Sequence, residues 1–139
     1  MHRHLAIWFL AVTLSLAMSG CGGAWAYNVV GTSRDPGAEG TVQVERIEGG
    51  NRLVTVSFRH MTPPERLGTN LRRFVLWFRN AQGQDTMASN LQYDPATRTA
   101  RATATTPQTR FVVIVTAEGQ ATTSQPGSNV IFNQRVTAE

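Results

Sequence analysis

The stretch Leu53-Val54-Thr55-Val56-Ser57-Phe58 places an apolar residue at each of its even-numbered positions. A period of two residues is the pattern of a β-strand that buries one face. The preceding stretch Thr41-Val42-Gln43-Val44-Glu45 alternates in the same way, and Glu48-Gly49-Gly50-Asn51 separates the two with turn-forming residues. Two alternating segments around a glycine-rich turn predict a β-hairpin.

More segments of strand-forming residues follow along the chain, and the most apolar is Phe74-Val75-Leu76-Trp77-Phe78, a predicted central strand. The period is already two from Tyr27 onward, and no segment has a helical period. A pattern of 7–8 short strands predicts an all-β protein. A two-layer antiparallel β-sandwich (Ig-like) fits best, with a small barrel as the alternative. The remaining predicted strands are 90–93, 99–105, 111–115 and 130–136.

The large apolar side chains indicate what the core contains. We expect the segments 74–78 and 111–115, with Trp77 among them, to fill the space between the two sheets, because they are the most apolar of the domain. Trp25 and Tyr27 stand near the start of the domain. We expect both to pack on the sandwich rather than to face a membrane.

The first residues have the composition of an export signal. His2, Arg3 and His4 open the chain, and residues 5–18 are almost wholly apolar. A helix of that segment would be about 21 Å long, whereas the hydrocarbon core of a bilayer is ~30 Å thick. A basic start, a short apolar segment and small residues after it predict a secretory signal peptide over residues 1–20. The rest of the chain is therefore expected to be exported.

Met18-Ser19-Gly20-Cys21, at the end of the apolar segment, resembles the lipobox of bacterial lipoproteins. In that family the cysteine thiol is joined to a diacylglycerol and becomes the new N-terminus; Met18 stands where the family prefers Leu, Val or Ile. The resemblance implies lipidation at Cys21, and three acyl chains such as palmitate hold a protein on a membrane permanently. Gly22 is similar to the residue that follows the cysteine in outer-membrane lipoproteins, so the expected location is the bacterial outer membrane.

Ala24-Trp25-Ala26 offers a second processing site. Ordinary signal peptidase cuts after such an A-x-A motif, and it would here release a soluble periplasmic or secreted protein that begins at Tyr27. We favour lipidation, because a cysteine directly after Ser-Gly is the more specific signal. The predicted organisation is then a signal peptide (1–20), a lipid-anchored tether (21–26) and a β-sandwich domain (27–139).

A set of short motifs is spread over residues 56–136. They are Thr62-Pro63-Pro64, the strand Phe74-Val75-Leu76-Trp77, the turn Gln82-Gly83-Gln84, the strand end Thr116-Ala117-Glu118-Gly119 and the loop Ser124-Gln125-Pro126-Gly127-Ser128. Together they resemble the extracytoplasmic C-terminal domain of the anti-sigma-K factor family. The resemblance implies a sandwich outside the membrane with a sensing or scaffolding role. In that family a cytosolic helical domain binds the sigma factor, and the signal sequence here is no counterpart of it.

Composition and charge exclude several classes of protein. Thirteen basic residues, all of them arginine, stand against nine acidic ones, and the densest basic spot is the pair Arg72 and Arg73. Nucleic-acid binding needs a basic stripe with stacking aromatic residues. The sequence has no such stripe, so no nucleic-acid partner is expected. A single cysteine excludes a disulfide within the chain.

The sequence predicts no catalytic residue, no cofactor and no metal site. Beyond the signal peptide His60 is the one histidine, and no G-x-S-x-G motif surrounds a serine. The carboxylates lack the spacing of a calcium loop or a zinc motif. One enzymatic alternative stays open, a small secreted hydrolase with a carboxylate site. It would need some of four residues to converge, namely Glu45, Glu65, Asp85 and Glu118.

The favoured interpretation is a non-catalytic, lipid-anchored envelope protein that acts as a binding, structural or sensing module. Besides the membrane, its expected partner is another envelope protein or a glycan. Recognition residues lie in loops more often than in the scaffold that carries them. Two loops are long here: residues 61–70, which Pro63 and Pro64 stiffen, and residues 119–129, which are rich in Gln, Thr and Ser. We expect these loops to carry the partner contacts.

Overall fold

The computed structural model describes residues 23–120 and 124–139; the predicted signal peptide, Cys21 and Gly22 lie outside the described residues. A single α-helical turn, α1 (Pro64–Leu67), interrupts the β-structure, and a 3-10 turn covers Glu48–Gly50. No helix within the described residues is long and apolar enough to cross a bilayer. The strands are β1 (Ala24–Val30), β2 (Glu39–Arg46), β3 (Arg52–Arg59), β4 (Arg73–Arg79), β5 (Asp85–Asn90), β6 (Gln92–Asp94), β7 (Thr99–Thr106), β8 (Arg110–Glu118) and β9 (Val130–Thr137).

The strands form two antiparallel sheets, and this confirms the predicted all-β sandwich. One sheet has five strands in the order β1-β2-β3-β7-β6, and the other has four in the order β5-β4-β8-β9. The predicted hairpin is β2 and β3, with Val42 opposite Val56. Within the described residues there are nine strands where seven or eight were expected, because β5 was not predicted. β5 is a mostly polar edge strand, so its sequence lacks the apolar alternation that predicts a strand.

The two sheets contact each other at both ends of the sandwich, and the two ends differ in their connections. Thr32 donates its backbone N–H to the carbonyl oxygen of Ile131 at one end (2.8 Å). Arg52 donates its Nε–H to the carbonyl oxygen of Ala138 at the other (2.9 Å). We call them the loop end and the turn end; β1 starts at the turn end. The loop-end connections are residues 31–38, 60–72, 95–98 and 119–129, and the turn-end connections are residues 47–51, 80–84 and 107–109.

The core lies between the sheets and is made by alternate residues of each strand. Phe58 and Phe132 stack with ring centroids 4.1 Å apart, and Phe78 meets Phe111 edge-on at 5.2 Å. Apolar burial of this kind is the main contribution to folding. The core therefore extends through both layers and over the length of the strands.

The first strand starts earlier than the expected domain. β1 begins at Ala24, so residues 24–26 of the predicted tether pair with β2. Trp25 and Tyr27 pack on the core, as predicted. The hydroxyl of Tyr27 also lies 3.1 Å from both the backbone nitrogen and the carbonyl oxygen of Thr137. β1 is thereby fixed to the end of β9.

Trp77 is buried but does not lie between the sheets, and the prediction was wrong on this point. Its neighbours Leu76 and Phe78 face the main core, whereas Trp77 points to the opposite face of the four-stranded sheet. There it forms a second apolar cluster with Val75 and Ile114, and its own exposure is 0%. Successive side chains of a strand point to opposite faces of the sheet, so the residues of a wholly apolar strand do not all reach the same core.

Candidate binding surface at the loop end

A buried aspartate joins two of the loops at the loop end. Asp35 is 4% exposed. Its Oδ2 accepts a hydrogen bond from the backbone N–H of Thr62 at 2.8 Å, and its Oδ1 accepts one from the Thr62 hydroxyl at 2.9 Å. Charge-assisted hydrogen bonds in a buried setting are strong. The loop of residues 31–38 is thus fixed against the loop of residues 60–72.

An arginine joins the turn 95–98 to the same loop. Arg98 donates its Nε–H to the carbonyl oxygen of Met61 at 2.9 Å, and Met61 donates its backbone N–H to the carbonyl oxygen of Arg98 at 3.0 Å. The hydroxyl of Tyr93 donates to the same Met61 carbonyl at 3.0 Å. Burial raises the pKa of the Tyr93 phenol above its ordinary value, although the charge of Arg98 acts in the opposite direction.

The backbone of the loop end contains unusual conformations. Three non-glycine residues of the described chain have positive φ angles: His60 (58°), Asn70 (63°) and Arg98 (56°). All three lie in loop-end connections. Such conformations cost free energy and persist where the surroundings hold them, often at functional sites. The loop end is therefore the part of the described chain in which strain is concentrated.

The second long loop lies against the first. Arg72 donates its backbone N–H to the carbonyl oxygen of Glu118 at 2.7 Å. A Cβ added to Gly119 would lie 3.3 Å from the carbonyl oxygen of Asn70. The first residue of the loop 119–129 thus lies beside the last residues of the loop 61–70.

A buried carboxylate, that of Glu118, binds the loop 119–129 at Gly127. Glu118 is 6% exposed, and its Oε1 accepts hydrogen bonds from the Thr116 hydroxyl and the Gly127 backbone N–H, each at 2.7 Å. A Cβ on Gly127 would come within 3.2 Å of both carboxylate oxygens. A side chain at position 127 would therefore displace the Glu118 carboxylate by a few tenths of an ångström.

Exposed polar side chains stand on this fixed backbone. Arg34, Glu65, Arg66 and Thr69 are all exposed. Pro64, by contrast, is buried and begins the short helix α1. The backbone of a rigid loop loses little conformational entropy when the loop binds a partner. This arrangement is suited to recognition of a polar surface.

His60 is placed as a surface residue. Its side chain is 65% exposed, and its Nε2 lies 3.8 Å from Oε1 of Glu39. The same carboxylate oxygen accepts a hydrogen bond from Nε of Arg59 at 2.9 Å. The imidazole of His60 thus lies at the surface, beside the exposed ion pair of Arg59 and Glu39.

The four carboxylates of the hydrolase alternative are divided between the two ends. Glu45 and Asp85 lie near the turn end. Asp85 forms a bidentate ion pair with Arg79. Glu65 and Glu118 lie at the loop end, where Glu118 is bound as described above. A glycosidase-type site needs two carboxyl groups on either side of one substrate bond. The division argues against a site made by all four.

Within residues 23–120 and 124–139, no three side chains from His, Cys, Asp and Glu lie close enough to hold a metal ion. Cys21 lies outside the described residues. The contacts of Asp35 and Arg98 were not predicted from the sequence. Asp35-Pro36-Gly37 is a turn sequence, but nothing in it identifies a partner 27 residues away.

No family model, no curated protein and no solved structure matches this chain. The likeness to the anti-sigma-K factor domain therefore stays a prediction.

Proposed function

We propose that this protein is a non-catalytic lipoprotein of the bacterial envelope. In this proposal Cys21 anchors it to the outer membrane, and its loop end binds an envelope protein or a glycan. The observation that carries the proposal is the opposition of the two ends: β1 starts at the turn end, and the long loops lie at the other. An anchor ahead of β1 leaves the loop end free to meet a partner.

The distances support this orientation. Cys21 precedes Ala24 by three residues, which span at most about 11 Å when extended. The turn end is then held next to the membrane. β8 has nine residues and is about 30 Å long. The loop end is presented roughly that far from the lipid surface.

The start of β1 favours lipidation over cleavage after Ala26. Ala24, Trp25 and Ala26 are paired with Glu45, Val44 and Gln43 of β2. Cleavage before Tyr27 would remove these pairs and the Trp25 side chain from the core. Processing at Cys21 leaves the whole strand in place.

Metabolic labelling with a clickable fatty acid tests the anchor. We expect labelled protein in the membrane fraction from wild-type cells and none from cells that carry Cys21→Ser. Asn28→Ser, a change of an exposed residue in β1, serves as the matched control and should keep the label. Unlabelled wild-type protein with its N-terminus at Tyr27 would refute lipidation and support soluble secretion.

A further inference from the structure

Three arginines surround Val112 on the outer face of the four-stranded sheet. Arg79 and Arg135 are the direct neighbours of Val112 on β4 and β9. Arg110 precedes Val112 by two residues on β8 and so points to the same face. Strand spacing places the Cα atoms of Arg79 and Arg135 about 10 Å apart. We call these three residues the arginine triad.

The arginine triad lines an open cavity. The cavity has a volume of about 550 Å³, and besides the three arginines Asn80 and Phe111 also belong to its wall. Guanidinium groups and an amide are donors that match the oxygens of a phosphate. The cavity therefore has both the room and the chemistry for a phosphate headgroup.

The charges of the triad are incompletely balanced. Arg79 is paired with Asp85 (2.7 and 2.9 Å), whereas Arg110 meets Glu139 at 2.5 Å in a pair whose side chains are 67% and 56% exposed. An exposed pair of this kind is weak and can exchange partners. Arg135 is exposed and has no acidic partner within the part of the chain that the structure describes. An anion between the arginines would relieve their mutual repulsion.

The triad lies close to the start of β1. Arg110 is opposite Thr137 on β9, and Thr137 contacts the hydroxyl of Tyr27. With the anchor at Cys21, as proposed above, this part of the turn end is held near the lipid headgroups. Such closeness matters, because exposed charges interact strongly only within about one Debye length, which is about 8 Å at physiological salt.

We infer that the arginine triad binds the phosphate of an anionic phospholipid headgroup and fixes the orientation of the anchored domain. This inference rests on the proposed anchoring at Cys21. Arg135 supplies the free cation, Arg79 is held in place by Asp85, and Arg110 exchanges Glu139 for the phosphate. The contact presses the turn end onto the membrane and directs the loop end away from it.

Vesicle co-sedimentation of a chain that begins at Gly22 tests the inference. All nine described strands lie beyond that residue, so the sandwich is complete. We expect binding to mixed phosphatidylglycerol and phosphatidylcholine vesicles, and none to pure phosphatidylcholine. The double variant Arg110→Gln, Arg135→Gln should bind about 25-fold more weakly, since each basic residue near an anionic surface contributes about fivefold. The matched control Arg34→Gln, Arg66→Gln removes the same charge at the loop end and should change binding less than about twofold.

Several outcomes would overturn the inference. Equal losses in the two double variants would indicate general charge attraction without a site. Equal binding to both kinds of vesicle, or to neither, would exclude anionic headgroups as the ligand. If inorganic phosphate binds in a triad-dependent way while vesicles do not, the ligand is free phosphate. Because this chain carries no acyl group, these results are independent of the labelling test of Cys21.

Discussion

Trp77 donates its indole Nε1–H to the hydroxyl oxygen of Thr116 at 2.8 Å, on the face of the four-stranded sheet that points away from the core. The Thr116 hydroxyl in turn donates to Glu118, which also binds the backbone N–H of Gly127. A chain of three hydrogen bonds therefore connects the outer apolar cluster to the loop 119–129. The packing of this face and the position of Gly127 in that loop are thus linked.

Replacement of Trp77 should destabilise the protein strongly although it lies outside the main core. Trp77→Ala removes a fully buried ring and the donor to Thr116, and such changes cost about 3–5 kcal/mol of the 5–15 kcal/mol that stabilise a domain. Trp25→Ala, at a half-buried edge position, is the matched control and should cost less. Urea unfolding measures both. A Trp77→Ala protein with nearly wild-type free energy of unfolding would contradict the burial of this ring.

The position of Trp77 also marks how far the sequence determines the fold. The alternation in residues 41–45 and 53–58 predicted a hairpin, and the structure confirms it, because one polar face and one apolar face define the orientation of a strand. Residues 74–78 are apolar on both faces, so their pattern cannot say which residues face the other sheet. The strand was predicted, but the side of the sheet on which Trp77 lies was not.

At the loop end, the sequence predicted the positions of the two long loops but not the contacts between them. The two long loops could be located because Pro63, Pro64 and the polar residues of 119–129 interrupt the strand pattern. Their contact with each other depends on the order of the strands in the sheet, in which β4 and β8 are neighbours. The bonds of Asp35 and Arg98 depend on the same long-range arrangement. Local sequence carries no information on it.

Tyr93 should make stability depend on alkaline pH. Its pKa is raised above the ordinary value of 10.0, chiefly by burial, so the folded protein favours the neutral phenol. The stabilisation is complete below pH 10 and is lost as the pH rises through the pKa of the folded state. Between pH 10 and the pKa of the folded state, the free energy of unfolding should therefore fall more steeply in the wild type than in Tyr93→Phe. Both proteins keep Tyr27, so the difference in slope reports Tyr93. Equal slopes would contradict the role of burial.

The first residues of β1 should contribute to stability. A chain that begins at Tyr27 lacks the pairs of residues 24–26 with β2 and the packing of Trp25. We expect it to be less stable than a chain that begins at Gly22 by about 1–3 kcal/mol, from the lost apolar burial and hydrogen bonds. A chain that begins at Ala24 keeps the complete strand and should match the longer one. Equal melting of all three would remove the structural argument against cleavage after Ala26.

The loop end should carry the contacts with the partner, and two adjacent Glu-Arg pairs allow a matched test. Glu65 and Arg66 are exposed at the loop end, and Glu45 and Arg46 are exposed near the turn end. Each pair can be replaced by alanine with no change of net charge, and exposed substitutions of this kind shift stability by less than about 0.5 kcal/mol. The anchored proteins are then crosslinked in their own cells and purified with whatever they have bound.

We expect the Glu65→Ala, Arg66→Ala variant to lose a partner that wild type and the Glu45→Ala, Arg46→Ala variant both retain. The physical reason is that Glu65 and Arg66 stand on the short helix α1, in a loop that Asp35 and Arg98 hold in one conformation. Charged groups on a rigid loop set specificity and association rate more than total affinity. Added salt before the crosslinking step should therefore reduce the yield of the captured complex. If both variants fold and recover every wild-type partner, the loop that carries Glu65 and Arg66 is only a solvated connection, and the binding surface lies elsewhere.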